Sequence, residues 1–122
     1  MNWLLVFLGG GLGGLARYGM TFLFAPPVFK DGDMPWATLA ANFFACVILG
    51  AGLALVSRDV IEKPAQLLLL TGFCGGFSTF STFAAELLQL AQNGHSLQAF
   101  VYLSLSLLTG VAGLWVALTL VR

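Results

Sequence analysis

Between Phe77 and Phe83, phenylalanine recurs at every third residue, with Ser78, Thr79, Ser81 and Thr82 in the gaps. In a helix, such a stretch gathers its rings toward one side and flanks them with hydroxyls. A ring is negative on its face and positive at its edge. Phe80 and Phe83 can therefore meet an anion edge-on while hydroxyls such as Ser81 and Thr82 replace its water. The same residues can also serve simply as packing between helices. Just upstream, Gly75-Gly76 weakens a helix by about 1 kcal/mol per glycine relative to alanine. A break there frees backbone carbonyls around Gly75 and Ser78, which in a bilayer must find a helix, water or a cation. Matching carbonyls from an antiparallel second copy, meeting on a two-fold axis, would form a small cage for a monovalent ion.

Other polar groups stand alone in apolar surroundings. Asn42 carries two donors and an acceptor, and either bonds across helices or aims a donor at a passing anion. Arg17 lies near the end of the first apolar stretch, where a cation either snorkels to the headgroups or faces a wet vestibule and concentrates anions. Glu86 is the only carboxylate inside an apolar stretch. It is a candidate proton-coupling acid, or a partner for Arg17 or a hydroxyl. Tyr102, Ser106 and Thr109 fall on one helical face and either bond to other helices or line a path. No second acid accompanies Glu86, which argues against acid–base enzymology. Cys46 and Cys74 lack metal-ligand spacing and read as buried free thiols. His95 sits in a short polar turn without ligand partners.

The elements that position these groups follow from composition. Of 122 residues, 59% are hydrophobic and 8% charged, and mean hydropathy is +0.95. Soluble domains carry about 25% charge, so this composition belongs to an integral membrane protein. Net charge is zero, and nothing points to nucleic acid. A spanning helix needs about 20 mostly apolar residues, and four such stretches are expected over about 2–24, 36–56, 65–92 and 97–121, the third broken near 75–78. The first lacks the basic start of a signal peptide and reads as a span. The whole chain is one four-helix transmembrane domain, its two ends on the same side.

Charge hardly orients this bundle. With the ends inside, Arg58, Lys63 and Arg122 lie inside and Arg17 and Lys30 outside, a near-balance that leaves insertion either way up open. Four short helices enclose little interior, so a two-fold dimer is the expected working unit. Gly9 with Gly13, and Gly10 with Gly14, repeat at four residues and make a smooth face for close helix approach.

Three stretches in order resemble the Fluc family of small bacterial fluoride channels: GGGLGGLARYG (9–19), TLAANFFACVILG (38–50) and GFCGGFSTFSTF (72–83). The resemblance implies an all-α membrane protein working as a dual-topology, antiparallel homodimer in the bacterial inner membrane. It implies a passive, fluoride-selective channel with two pores, exporting cytoplasmic fluoride. Asn42, Phe80 and Phe83 match pore residues, Ser81 and Thr82 hydroxyls near the path, and Tyr102 and Ser106 a polar track. Arg17 matches a vestibule arginine and Glu86 a glutamate of the third helix. Gly75 and Ser78 match carbonyl donors to a structural sodium ion at the dimer interface. Gly110 lacks a hydroxyl found in some relatives, leaving Thr109 to supply it. The alternative is a small four-helix, proton-coupled multidrug exporter using Glu86. A further rival is a membrane assembly subunit that transports nothing.

Overall fold

Pro26 and Pro27 shape the end of the first helix. Helix α1 (Asn2–Met20) stops at Met20 rather than running to Phe24. Over Thr21, Phe22 and Leu23 the backbone N–H groups reach back only three residues, to Tyr18, Gly19 and Met20. The helix thus tightens before Ala25, whose position before proline disfavours helical geometry. The computed structural model describes residues 1–122.

Helix α2 (Trp36–Ser57) begins directly after Pro35. Next comes α3 (residues 63–77), with Pro64 in its first turn, where the missing N–H is harmless. Its middle, Leu67–Cys74, is wound as a π-helix, a feature without counterpart in the apolar pattern. Ser78 and Thr79 are extended. Helix α4 (Phe80–Gln92) resumes after them and turns at Gly94 (φ +82°) into α5 (Ser96–Val121).

The helices run alternately up and down. α1 lies parallel to α3, because Gly9 lies against Leu68 and Gly72 while Gly13 lies against Phe73 and Phe77, in the same order along both helices. A methyl at Gly13 would press into the Phe73 carbonyl, so glycine here sets how closely the two backbones approach. Gly9, Gly10 and Gly13 of the glycine repeat serve this seam, whereas Gly14 does not. Gly11 and Gly14 face open space. α2 likewise runs parallel to α5, with Phe43 and Val47 against Gly113 and Arg58 Nη1 donating to the Val121 carbonyl at 3.1 Å. Arg58 and the chain ends therefore share one end of the bundle. At the other, His95 Nε2–H donates to the Lys30 carbonyl at 2.7 Å, tying the 93–96 turn to the loop after α1.

Three helical stretches, Trp36–Ser57, Lys63–Gln92 and Ser96–Val121, are long and apolar enough to cross a membrane. α1 spans 19 residues, about 28 Å at 1.5 Å per residue. Its glycines and Arg17 lower its hydropathy. A globular monomer of this mass exposes about 6,300 Å², whereas this chain exposes 7444 Å² and buries 16 of its 122 residues. Most of the large apolar side chains face outward, Trp3, Leu97 and Leu120 among them. That surface suits lipid or a second copy of the chain. It does not suit water.

Candidate functional site

Asn42 organises the interruption between α3 and α4. Its Oδ1 accepts the Thr79 N–H at 2.7 Å, and its Nδ2 donates to the Thr79 carbonyl at 3.2 Å. Both ends of one amide thus hold both peptide groups of one residue, across 37 positions of sequence. Thr79 in turn caps α4, its Oγ1 accepting the Thr82 N–H at 3.2 Å. One of the two Asn42 amide hydrogens remains uncommitted.

Gly75 and Gly76 themselves stay helical (Gly75 φ −63°, ψ −39°). The backbone departs from the helix after them, at Ser78 and Thr79, where hydrogen bonds from α2 outweigh the local weakness of the glycines. Arg17 Nε donates to the Gly76 carbonyl at 3.2 Å, so this guanidinium binds helix backbone on one side. Gly75 and Ser78 line a cavity of about 190 Å³ together with Cys46 and Cys74, whose thiols are both free.

A larger cavity, about 480 Å³, opens beside the C-terminal end of α1 and the start of α2. Arg17, Thr38, Thr79, Thr82 and Glu86 converge on it from three helices and the interruption, with Tyr18, Phe22, Pro26 and Pro35 forming apolar walls. Glu86 is fixed from two sides: Tyr102 Oη donates to its Oε1 at 2.9 Å and Thr38 Oγ1 to its Oε2 at 3.1 Å. Its partners are hydroxyls, while Arg17 is engaged by Gly76. Phe83 is buried and packs edge-on against Tyr102, with ring centroids 5.0 Å apart. Phe80 lies 6.1 Å from Phe83 by centroids but is 78% exposed. Ser81 is also exposed, its Oγ 3.4 Å from Thr79 Oγ1.

The structure therefore joins Arg17, Asn42, Thr82, Phe83, Glu86 and Tyr102 through this cavity and its bonded neighbours. Phe80 and Ser81 point away from the single chain, and Gly75 and Ser78 lie on a second cavity. Ser106 Oγ is buried without a partner. Such an orphan hydroxyl is uncommon and suits a guest acceptor or donor. Thr109 does not extend its stripe. Its Oγ1 bonds back to the Leu105 carbonyl at 2.6 Å, and it lines apolar grooves with Phe43.

The sequence pattern leaves Thr38 unmarked and marks Thr79 only as one of several flanking hydroxyls. Thr38 stands one helical turn before Asn42 on α2, a spacing that places both on one face. Thr79 has the residue type and position of a helix N-cap. Hydroxyls close to an anion supply donors without a competing charge. Together with one free Asn42 N–H and ring edges, the arrangement can strip water from a small anion. It contains no nucleophile–base pair with which to make or break covalent bonds.

Comparison with known proteins places the chain among relatives. The family described as "CrcB-like protein, Camphor Resistance (CrcB)" matches residues 4–118. A protein of Phocaeicola vulgatus named "Fluoride-specific ion channel FluC" is 40% identical over 112 residues, covering 90% of this chain and 89% of the relative. The protein of that name from Leptospira interrogans serovar copenhageni is 36% identical over 117 residues, covering 92% and 91%. One from a Methylobacterium species is 39% identical over 124 residues, covering 100% and 97%.

Proposed function

The chain belongs to the CrcB-like family, and from that premise we propose that it is a passive, fluoride-selective channel. It is a multi-pass membrane protein and not an enzyme. The observation that carries the reading is the convergence of Arg17, Thr79, Thr82 and Glu86 on one cavity, in a chain whose relatives are named for fluoride.

Fluoride holds its water tightly, so a path for it must offer replacement donors at every step. Arg17 draws the anion into the cavity, where one guanidinium nitrogen is already tied to Gly76. Thr79, Thr82 and the free Asn42 N–H take over from water. The edges of Phe83 and Phe80 come next, and the orphan hydroxyl of Ser106 follows. Because Phe80 and Ser81 face outward, a second copy completes the wall, and two copies give two paths. A cell interior negative by 100 mV drives a monovalent anion outward with about 2.3 kcal/mol, so export needs no coupling. The location we infer is the bacterial inner membrane.

The second copy is inserted upside down relative to the first. Near-balanced charge at the two ends supports this dual topology. A tag at the C-terminus of the chain is then expected to be labelled from both sides of sealed vesicles, in comparable amounts. Labelling from one side alone would refute antiparallel assembly.

Gly75 and Ser78 fit a monovalent cation at the dimer axis by their donor chemistry. Neutral carbonyls of an interrupted helix are the donors that hold sodium in other membrane proteins, and both border a small cavity. When bound, the ion supplies a positive centre that neither chain provides alone.

The relatives reported above give the multidrug exporter no support, nor do they support an assembly subunit without transport. The two transport readings divide on Glu86. In a channel, Glu86→Gln keeps the hydrogen bond from either Tyr102 or Thr38 and is expected to leave fluoride efflux within about tenfold of wild type, a barrier change below about 1.4 kcal/mol. Efflux abolished by Glu86→Gln, and driven in wild type only by a pH gradient, would overturn the channel in favour of coupled transport.

A further inference from the structure

Asn42 matches a pore residue, yet most of its hydrogen-bonding capacity is spent on the chain's own backbone. We propose that Asn42 is a positioning residue for the cation cage: by holding the Thr79 N–H, it keeps the Gly75 carbonyl free. The inference deepens the reading above and rests on Gly75 and Ser78 being sodium donors.

Five backbone groups around the interruption decide which carbonyls stay free. In a continuous helix each N–H returns to the carbonyl four residues earlier. Thr79 N–H would then take the Gly75 carbonyl, but it donates to Asn42 Oδ1 at 2.7 Å instead. Thr82 N–H would take the Ser78 carbonyl, but Thr79 Oγ1 accepts it at 3.2 Å. The Gly76 carbonyl is taken by Arg17 Nε at 3.2 Å. Two carbonyls are thereby withdrawn from helical pairing by named side-chain acceptors, and both belong to residues that line the small cavity. Of the two residues between them, Gly76 has its carbonyl closed off by a cation from α1. Selection of donors is thus set from outside α3, by Asn42 on α2 and Arg17 on α1, and from within by Thr79.

Amide chemistry suits Asn42 to this task. Its acceptor holds the Thr79 N–H while its donor holds the Thr79 carbonyl at 3.2 Å, fixing that peptide unit in extended geometry (φ −152°, ψ +123°). Leucine offers neither group. Without Asn42 Oδ1, the Thr79 N–H returns to Gly75 and the helix closes, since Gly75 and Gly76 are already helical. Aspartate keeps the acceptor and loses the donor. Cage and pore are coupled through this one side chain, which also retains one N–H for the anion.

The test compares Asn42→Leu with Asn42→Asp in purified full-length protein, titrating sodium against N-methylglucamine and reading dimer fraction by light scattering. Asn42→Leu is expected to need at least tenfold more sodium for half-maximal dimer, whereas Asn42→Asp stays within about threefold of wild type. Thr79→Val should move in the direction of Asn42→Leu, and Thr79→Ser should restore wild-type behaviour. A residue that serves only the pore would leave sodium dependence unchanged in every variant, and that result overturns the proposal. The carbon chemical shifts of Ser78 and Thr79, measured by solid-state NMR in lipid, decide the positioning role independently. They should be extended in wild type and helical in Asn42→Leu; extended values in both would reject it. A wild-type dimer indifferent to sodium would instead overturn the cage, while the shifts still decide what Asn42 does.

Discussion

Phe80→Ile is expected to abolish fluoride efflux, by about a hundredfold or more, while leaving the dimer folded. A hundredfold loss corresponds to a barrier raised by about 2.7 kcal/mol. Isoleucine keeps an apolar side chain at the position but removes the positive ring edge that the proposed path offers to the anion. The two phenylalanines are unequal as probes. Phe83 is buried against Tyr102, with centroids 5.0 Å apart, so truncating it also damages packing around Leu90 and Tyr102. Phe80 is 78% exposed on the single chain and has the Phe83 ring 6.1 Å away. Changing it therefore alters the path with little effect on the fold of the chain. Electrode-recorded efflux from liposomes, with dimer confirmed by light scattering, measures the effect. Efflux within about twofold of wild type would remove Phe80 from the path.

Withdrawal of sodium is expected to have a comparable effect on wild-type protein. Two carbonyls per chain, Gly75 and Ser78, border the small cavity. Brought together on a two-fold axis without a cation, the four oxygens would face one another across space that admits no helical N–H. Each buried acceptor left without a partner costs about 1–3 kcal/mol, enough in sum to separate the chains or close the path. Prolonged dialysis into N-methylglucamine should abolish efflux, and returning sodium should restore it. Unchanged efflux and an unchanged dimer after exhaustive removal would contradict a structural sodium ion.

Much of the architecture is legible in apolar runs and their punctuation. The stretches from Trp36 and from Ser96 are long, nearly free of charge and bounded by Pro35 and by the Asn93–His95 turn, so their helices follow from local rules. The end of α1 is less legible, because Phe22, Leu23 and Phe24 continue the apolar pattern and only the prolines beyond them oppose it. At α3 the local rules fail in an instructive way. Gly75 and Gly76 carry the low helix propensity, yet the extended residues are Ser78 and Thr79, because Asn42 competes for Thr79 from another helix. No periodicity announces a hydrogen bond spanning 37 positions. The π-helical turns at Leu67–Cys74 are hidden for the same reason: they accompany the approach of Gly72 to Gly9.

Polar residues stranded in apolar helices were the most informative signal for the site. Asn42, Glu86 and Arg17 each needed a partner, and each has one: Thr79, the hydroxyls of Tyr102 and Thr38, and the Gly76 carbonyl. Which partner each chose depends on helix rotation, which composition leaves open. Thr109 shows the limit of face assignment by spacing alone. It shares a stripe with Tyr102 and Ser106, but its hydroxyl closes on Leu105 of its own helix, the usual resort of threonine in apolar surroundings.

Selectivity between two halide ions is the defining property of the proposed path. Wild-type protein reconstituted into liposomes should release internal fluoride rapidly when a potassium ionophore clamps the voltage, with chloride held back at least a hundredfold under the same conditions. Vesicles that stay tight to fluoride, or that release both anions alike, would contradict a fluoride-selective path through this chain.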